Sequence, residues 1–269
     1  MKWFRKKRKE QSVLPKPVKL KADLLEQMQQ LPFGQSGTIR LGKHDFEFHH
    51  ARCFYGTYTE LFKERMYEFN TTNKQPFIID CGANMGLSVL YFAQTYPGAE
   101  IVAFEPEPPI YELLLRNIEK YELHNVTAHK KALWNERTTL SFYTDTGMGG
   151  SVENKFANQI PVKVETELLS SFITKTVDFL KIDIEGAELT VLKECRQQLY
   201  LVRHLFVEYH SYVNKPQQLS ELLQLLTDAG FRYHIKESFV HERPFIDTLL
   251  ACENMDMAIT VFAYRNEQR

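Results

Sequence analysis

Phe77-Ile-Ile-Asp-Cys-Gly-Ala-Asn-Met-Gly86 is the stretch whose reading decides the fold. Its first half is a short aromatic and β-branched run, the composition of a buried strand, and its second half is a glycine turn. Residues 87–95 then continue as a helix, so strand, turn and helix follow in order. The unit recurs outward. Glu100–Phe104 ends in Glu105-Pro106 and precedes a helix over 110–121, where Leu113, Leu114 and Ile118 fall at helical spacing. Strands are expected near 126–132, 138–143 and 160–165, with a flexible Gly147-Met-Gly-Gly-Ser151 loop among them. Val177–Ile182 ends in Asp183-Ile-Glu-Gly186 and leads into a helix from Ala187; a strand over 204–209, a helix over 217–229 and strands over 231–236 and 256–264 complete the chain. Strands alternating with helices pair in parallel, because a crossover helix joins parallel neighbours. The expected fold is a three-layer Rossmann-like α/β sheet, mostly parallel, with an antiparallel edge strand where the last two strands follow each other directly.

Composition agrees with a folded chain. Of 269 residues, 43% are hydrophobic and 25% charged, far from the regime of disorder. A formal net charge of −1 gives no general attraction for nucleic acid, so none is expected as a partner. Lys2, Arg5, Lys6, Lys7, Arg8 and Lys9 surround Trp3 and Phe4 at the start of a basic arm, residues 1–36, that is read as partly disordered and loosely docked, with a short helical stretch over 21–30 between Pro17 and Pro32. The stretch Lys2–Lys9 suits either a solvated tail or a peripheral foot on anionic lipid. With no apolar run long enough for a span or a signal peptide, the expected location is cytoplasmic, at most peripheral to a membrane. Cys53, Cys81, Cys195 and Cys252 form no C-x-x-C pair and are expected as reduced thiols. Residues 37–76 read as a cap of a hairpin and a helix over 58–69, and 77–269 as the main domain.

The first turn narrows the ligand. A dinucleotide fingerprint needs G-x-G-x-x-G, but Asn84 stands where the second glycine belongs and Leu87 where the third belongs. A phosphate-cradling G-x-x-x-x-G-K-[ST] loop is also missing. S-adenosylmethionine carries no phosphate; it needs an acid near its ammonium end and open backbone beneath, which Asp80 and Gly82 to Gly86 supply. Glu105, 25 residues beyond Asp80, stands at the next strand end, where a carboxylate can accept from ribose hydroxyls.

These stretches resemble the FkbM-type family of class I methyltransferases. The likeness runs through Ile-Ile-Asp-Cys-Gly-Ala-Asn-Met-Gly (78–86), Phe-Glu-Pro (104–106), Lys131-Ala-Leu, Gly150-Ser, Val-Asp-Phe-Leu-Lys-Ile-Asp-Ile-Glu-Gly-Ala-Glu-Leu-Thr-Val-Leu (177–192) and Val207-Glu-Tyr-His. It implies a cofactor pocket for S-adenosylmethionine lined by Asp80, Gly82, Asn84, Glu105 and Ala132, with Asp183 reaching in, and O-methylation of a sugar, glycan or other hydroxylated metabolite.

The catalytic candidates stand at later strand ends. Asp183 and Glu185 flank a glycine turn, where side chains face the ligand crevice. Glu188 reads as a first-turn helix residue. Glu208 and His210 share one strand face, since side chains alternate with period two. Methyl transfer to oxygen leaves one proton to remove, and His210 is the candidate base. A rival arrangement has Asp183, Glu185 and Glu208 hold a divalent metal ion that acidifies the hydroxyl. The remaining histidines lie in no ligand-spaced cluster, and Tyr55, Tyr58 and Phe62 read as core at helical spacing. Two other functions stay open: a cofactor-binding assembly protein without turnover and a nucleotide-dependent oxidoreductase. The oligomeric state is not legible.

Overall fold

The computed structural model describes residues 18–32, 34–144, 150–151, 160–246 and 255–265. The basic stretch Lys2–Lys9, the loop positions 147–149 and Cys252 lie outside them. Strand β1 (Val18–Leu20) pairs in parallel with β2 (Gly37–Leu41), which turns back into β3 (His44–Phe48). A three-ten helix, Ala22–Gln30, links β1 to β2. The short helical stretch expected over 21–30 is therefore present, as a three-ten helix. Leu25 and Met28, three apart and so on one face of a three-ten turn, are buried in the same core as Phe46 and Phe54.

Helix α1 (Ala51–Tyr58) starts seven residues before the helix expected over 58–69 and passes into a π turn, Thr59–Lys63. Its cap explains the miss. His50 Nδ1 accepts from the Cys53 N–H at 3.4 Å, a role that Ser, Thr, Asp or Asn usually fills and that a histidine does not announce.

The main body then alternates: β4 (Phe77–Cys81), α2 (Leu87–Thr95), β5 (Glu100–Phe104), α3 (Pro108–Lys120) and β6 (Val126–His129). The chain leaves to build a small sheet from β7 (Ala132–Leu133), β8 (Thr139–Thr144), β9 (Gly150–Ser151) and β10 (Ile160–Glu167). It returns with β11 (Val177–Ile182), α4 (Glu188–Glu194), β12 (Val202–Tyr212), α5 (Leu219–Asp228), β13 (Arg232–Phe239) and β14 (Met255–Tyr264). The main sheet is ordered β13-β14-β12-β11-β4-β5-β6, with β12 through β6 parallel and β14 antiparallel to both its neighbours. The antiparallel strand is therefore one place inside the edge. β14 buries Ala258 to Val261 in succession, which suits an interior position, whereas β13 exposes Lys236 and Glu237, charges that protect an edge.

Every residue of β4 and β11 is buried. Side chains alternate between two cores: Ile79, Cys81, Leu180 and Ile182 pack with α4 and α5, while Ile78 and Phe179 pack with α2 and the aromatic cap. Each such fully buried Ile, Leu or Phe contributes roughly 1.5–3 kcal/mol. From β4 the chain proceeds to β5 and β6 on one side; β11 and β12 fill the other. The order reverses between β4 and β11, and a crevice opens beyond their carboxyl ends. Among the described residues no helix is long and apolar enough to cross a membrane.

Candidate active site at the sheet's switch point

The turn after β4 closes on itself. Gly82 has φ +90°, and a Cβ there would stand 2.0 Å from the Asp183 carbonyl oxygen, so the turns after β4 and β11 touch backbone to backbone. All five N–H groups from Gly82 to Gly86 are committed inside the protein. Gly82 and Ala83 donate to the Phe104 carbonyl (3.1 and 2.9 Å), Asn84 to Glu105 Oε2 (2.9 Å), Met85 to Asn84 Oδ1 (2.7 Å) and Gly86 to the Ala83 carbonyl (2.9 Å). A phosphate-binding glycine loop aims such N–H groups at its ligand. This one aims none.

Glu105 lines the crevice while both its oxygens accept backbone N–H groups, Oε2 from Asn84 and Oε1 from Glu107, each at 2.9 Å. Each carboxylate oxygen keeps further lone-pair capacity. Burial pushes this carboxyl up to about 8, against the pull of the Glu107 N–H. Gly82, Asn84, Ala132 and Asp183 also line the crevice. Two expected cofactor residues do not. Gly86 turns toward α3, where a Cβ would meet Leu114 Cδ1 at 2.6 Å, so its work is helix packing. Asp80 is fully buried beneath the turn; its Oδ2 accepts from Ser88 Oγ at 2.5 Å, and its Oδ1 pairs with Lys181 Nζ at 3.3 Å. Its place one residue before the strand's end points it into the protein.

Lys181 was given no role by the sequence reading. Its register opposite Asp80 brings its ammonium to Asp80, to Asp183 Oδ2 (3.3 Å) and to the Gly82 carbonyl (2.8 Å), which ties the two turns together. Buried Asn117 on α3 does the same for the cap, donating to the carbonyls of Met85 (2.8 Å) and Glu47 (2.9 Å).

The turn after β11 presents side chains. Glu185 has φ +56°, unusual for a residue with a Cβ, and Gly186 follows at φ +98°. Glu188 Oε1 accepts the Gly186 N–H at 2.9 Å, the first-turn bond expected of it, and also lies 2.9 Å from His210 Nδ1. The carboxylate therefore holds the ring with Nε2 facing Asp183 Oδ1 (3.9 Å) and Glu185 Oε2 (3.7 Å). Tyr212 donates to Glu185 Oε2 at 3.0 Å. Burial opposes charge on His210, but Glu185 and Glu188 overcome it and raise its pKa well above 6.5; a freely basic imidazole is not its resting state. Burial pushes Glu185 up to about 7.

Glu208 lines the same wall, yet it does not join the group expected to hold a metal. Its Oε1 takes the Ser238 hydroxyl at 2.5 Å, and the compact trio is Asp183, Glu185 and His210. Period-two alternation placed Glu208 and His210 on one face, but β13 draws the glutamate aside.

The crevice is a cavity of about 460 Å³. Its cap side includes His49, Cys53, Thr57 and Glu60, the last on the π turn and pushed up to about 7 by burial and then by Glu208. Tyr58 and Phe62 instead stack on each other at 4.8 Å within the core. Six carboxylates line the cavity, those of Glu60, Glu105, Glu107, Asp183, Glu185 and Glu208, against Lys131 and Lys181. Burial holds three of these carboxyls, Glu60, Glu105 and Glu185, up at about 7 to 8, so a cation entering the cavity would draw them into their charged form. Glu60, Glu188, Lys181 and Tyr212 escaped the sequence reading or entered it without their site roles; a lysine inside an apolar strand was the one signal available.

Residues 80–233 match the profile of a family described as "Methyltransferase FkbM domain". Methyltransferase sdnD of Sordaria araneosa is 30% identical over 211 residues, which cover 65% of this chain and 80% of that protein. Methyltransferase 1 of Beauveria bassiana is 31% identical over 50% of this chain and 64% of its own length. The 2-O-methyltransferase NoeI of Sinorhizobium fredii is 24% identical over 50% and 63%. The chain thus spans slightly less than two thirds of the last two.

Proposed function

Because the chain belongs to the FkbM methyltransferase family, we propose that its cavity binds S-adenosylmethionine and that the methyl passes to a hydroxyl oxygen of a sugar, glycan or other hydroxylated metabolite. The observation that carries this reading is the first turn. Its five N–H groups are all committed internally, and six carboxylates surround the space above it. That combination offers a pyrophosphate no backbone donor, and the raised carboxyls ionise most readily beside a ligand carrying an ammonium and a sulfonium, which disfavours a nucleotide-dependent oxidoreductase.

When bound, the sulfonium supplies a methyl carbon already activated for displacement. The chain's own part is to bind and align. Glu105 offers its remaining lone pairs to the ribose hydroxyls, the backbone of Gly82 and Asn84 allows close approach, Ala132 leaves room, and Asp183 adds negative charge. Alignment of reactants is worth roughly 7–11 kcal/mol of barrier in well-oriented systems. The corner of Asp183, Glu185 and His210 receives the acceptor hydroxyl, and polar groups lining the cavity receive its proton. Transfer to oxygen is supported by the name of one relative, a 2-O-methyltransferase.

The test is incubation with S-adenosylmethionine labelled in its methyl group and a panel of neutral sugars, glycans and hydroxylated metabolites, with the new methyl located by NMR. An O-methyl ether formed together with S-adenosylhomocysteine is expected. Methyl found only on nitrogen or carbon overturns the oxygen assignment, and bound cofactor without turnover on any acceptor favours the assembly-protein reading.

A further inference from the structure

We infer that Asp183, Glu185 and His210 form a site for one divalent transition-metal ion, open toward the acceptor side of the cavity. The inference rests on reading that corner as the acceptor's place. One donor atom from each residue lies within 4.8 Å of the others. The gaps from His210 Nε2, 3.9 Å to Asp183 Oδ1 and 3.7 Å to Glu185 Oε2, are too long for hydrogen bonds. Donors about 2.1 Å from one ion at right angles stand about 3 Å apart, so a modest closing of three side chains forms the shell.

A second observation comes from His210 itself. Its side chain is only 6% exposed, and its Nε2 is aimed at the two acids without a hydrogen bond to any described residue. Facing two carboxylates beyond hydrogen-bond reach, that nitrogen carries either a proton held between them or, in its place, a metal ion. With Glu188 against Nδ1, the ring is held so that Nε2, once a metal ion displaces its proton, turns its lone pair to the two acids.

Each donor is also gripped from outside. Glu188 holds the His210 ring, the Tyr212 hydroxyl donates to Glu185, and Lys181 pairs with Asp183 through its other oxygen. That is the outer layer that orients metal ligands. Glu185 sits at φ +56°, backbone strain that surrounding structure must maintain and that clusters where side chains are held for function. Two carboxylates with one imidazole suit manganese, iron or zinc in the divalent state, and three protein donors leave positions open for an acceptor oxygen.

The experiment uses the whole chain, stripped of metal with a chelator and titrated with Mn²⁺, the free ion being read by electron paramagnetic resonance. His210→Ala and Glu185→Gln are titrated in parallel, each first shown to unfold cooperatively, with His210→Asn replacing any variant that does not fold. One Mn²⁺ per chain, bound at least about tenfold more weakly by both variants, is expected. No binding by the wild-type chain, or binding unchanged in both folded variants, overturns the site. Calorimetry with S-adenosylmethionine on the same samples separates the two readings. Cofactor binding without Mn²⁺ binding removes the metal site alone, and Mn²⁺ binding without cofactor binding removes the cofactor reading alone.

Discussion

The turns that end β4 and β11 share one backbone device and put it to opposite uses. Each places a residue with a Cβ in the left-handed region close to a glycine that is also left-handed: Asn84 (+49°) with Gly86 (+87°), and Glu185 (+56°) with Gly186 (+98°). The first turn folds its polar groups inward and offers a low backbone surface that a ligand can approach. The second throws its side chains outward, so Asp183 and Glu185 meet His210 from β12. In the reading proposed above, one turn binds and the other performs the chemistry. They touch at Gly82 and are joined by Lys181.

The joint is where the largest effect is expected. Lys181→Met leaves Asp80 buried without its cation, and breaking a buried pair in this way costs about 3–5 kcal/mol. Urea unfolding measures it, and a near-neutral result would show that the two turns stand independently. Gly82→Ala forces a Cβ into the Asp183 carbonyl at a φ that alanine resists, at a cost of roughly 2–3 kcal/mol. Cofactor affinity should fall with it, because both turns shift.

Glu188→Gln sharpens the comparison, since it touches only the second turn. With His210 less firmly oriented, turnover should drop by about tenfold to a hundredfold while S-adenosylmethionine binds as before. Equal losses in both would mean that the division between binding and chemistry is false.

A pH dependence tests the charges that both turns present to the cavity. Burial pushes Glu60 and Glu185 up to about 7 and Glu105 up to about 8, all above the ordinary value of 4.5. A carboxyl raised in the folded state binds its proton more tightly there than in the unfolded chain. Its stabilisation is present at low pH and lost as pH rises through the folded value. His210, also raised, acts in the same direction above its ordinary 6.5. The unliganded protein should therefore unfold at lower urea at about pH 8.5 than at about pH 5.5, and a bound cation should shrink that difference. A rise in stability over the same interval would contradict the charge balance assigned to the cavity.

The same two turns show how much a sequence discloses. Glycines beside a β-branched run marked the first turn, and Asp-Ile-Glu-Gly after an apolar run marked the second, because both signals are local. Glu105 was legible for the same reason. Partnerships across strands were not. Lys181 meets Asp80 through sheet register, and Glu188 meets His210 across 22 residues, distances that no periodicity encodes. Asp80 looked like a pocket acid until the neighbouring lysine drew it inward. Glu208 shared a face with His210 as alternation required, yet Ser238 on β13 claimed it. The cap was the least legible part, since α1 begins at a histidine and the docking of Leu25 and Met28 depends on a surface formed by later residues.

The most direct test of the central claim is calorimetric titration of the purified chain with S-adenosylmethionine, S-adenosylhomocysteine and NAD, beside Glu105→Ala. The account predicts binding of both sulfur ligands, none of NAD, and a loss of about tenfold or more in the variant, as removing a hydrogen-bonded buried carboxylate implies. Folded protein that binds neither sulfur ligand, or that binds NAD instead, would contradict it.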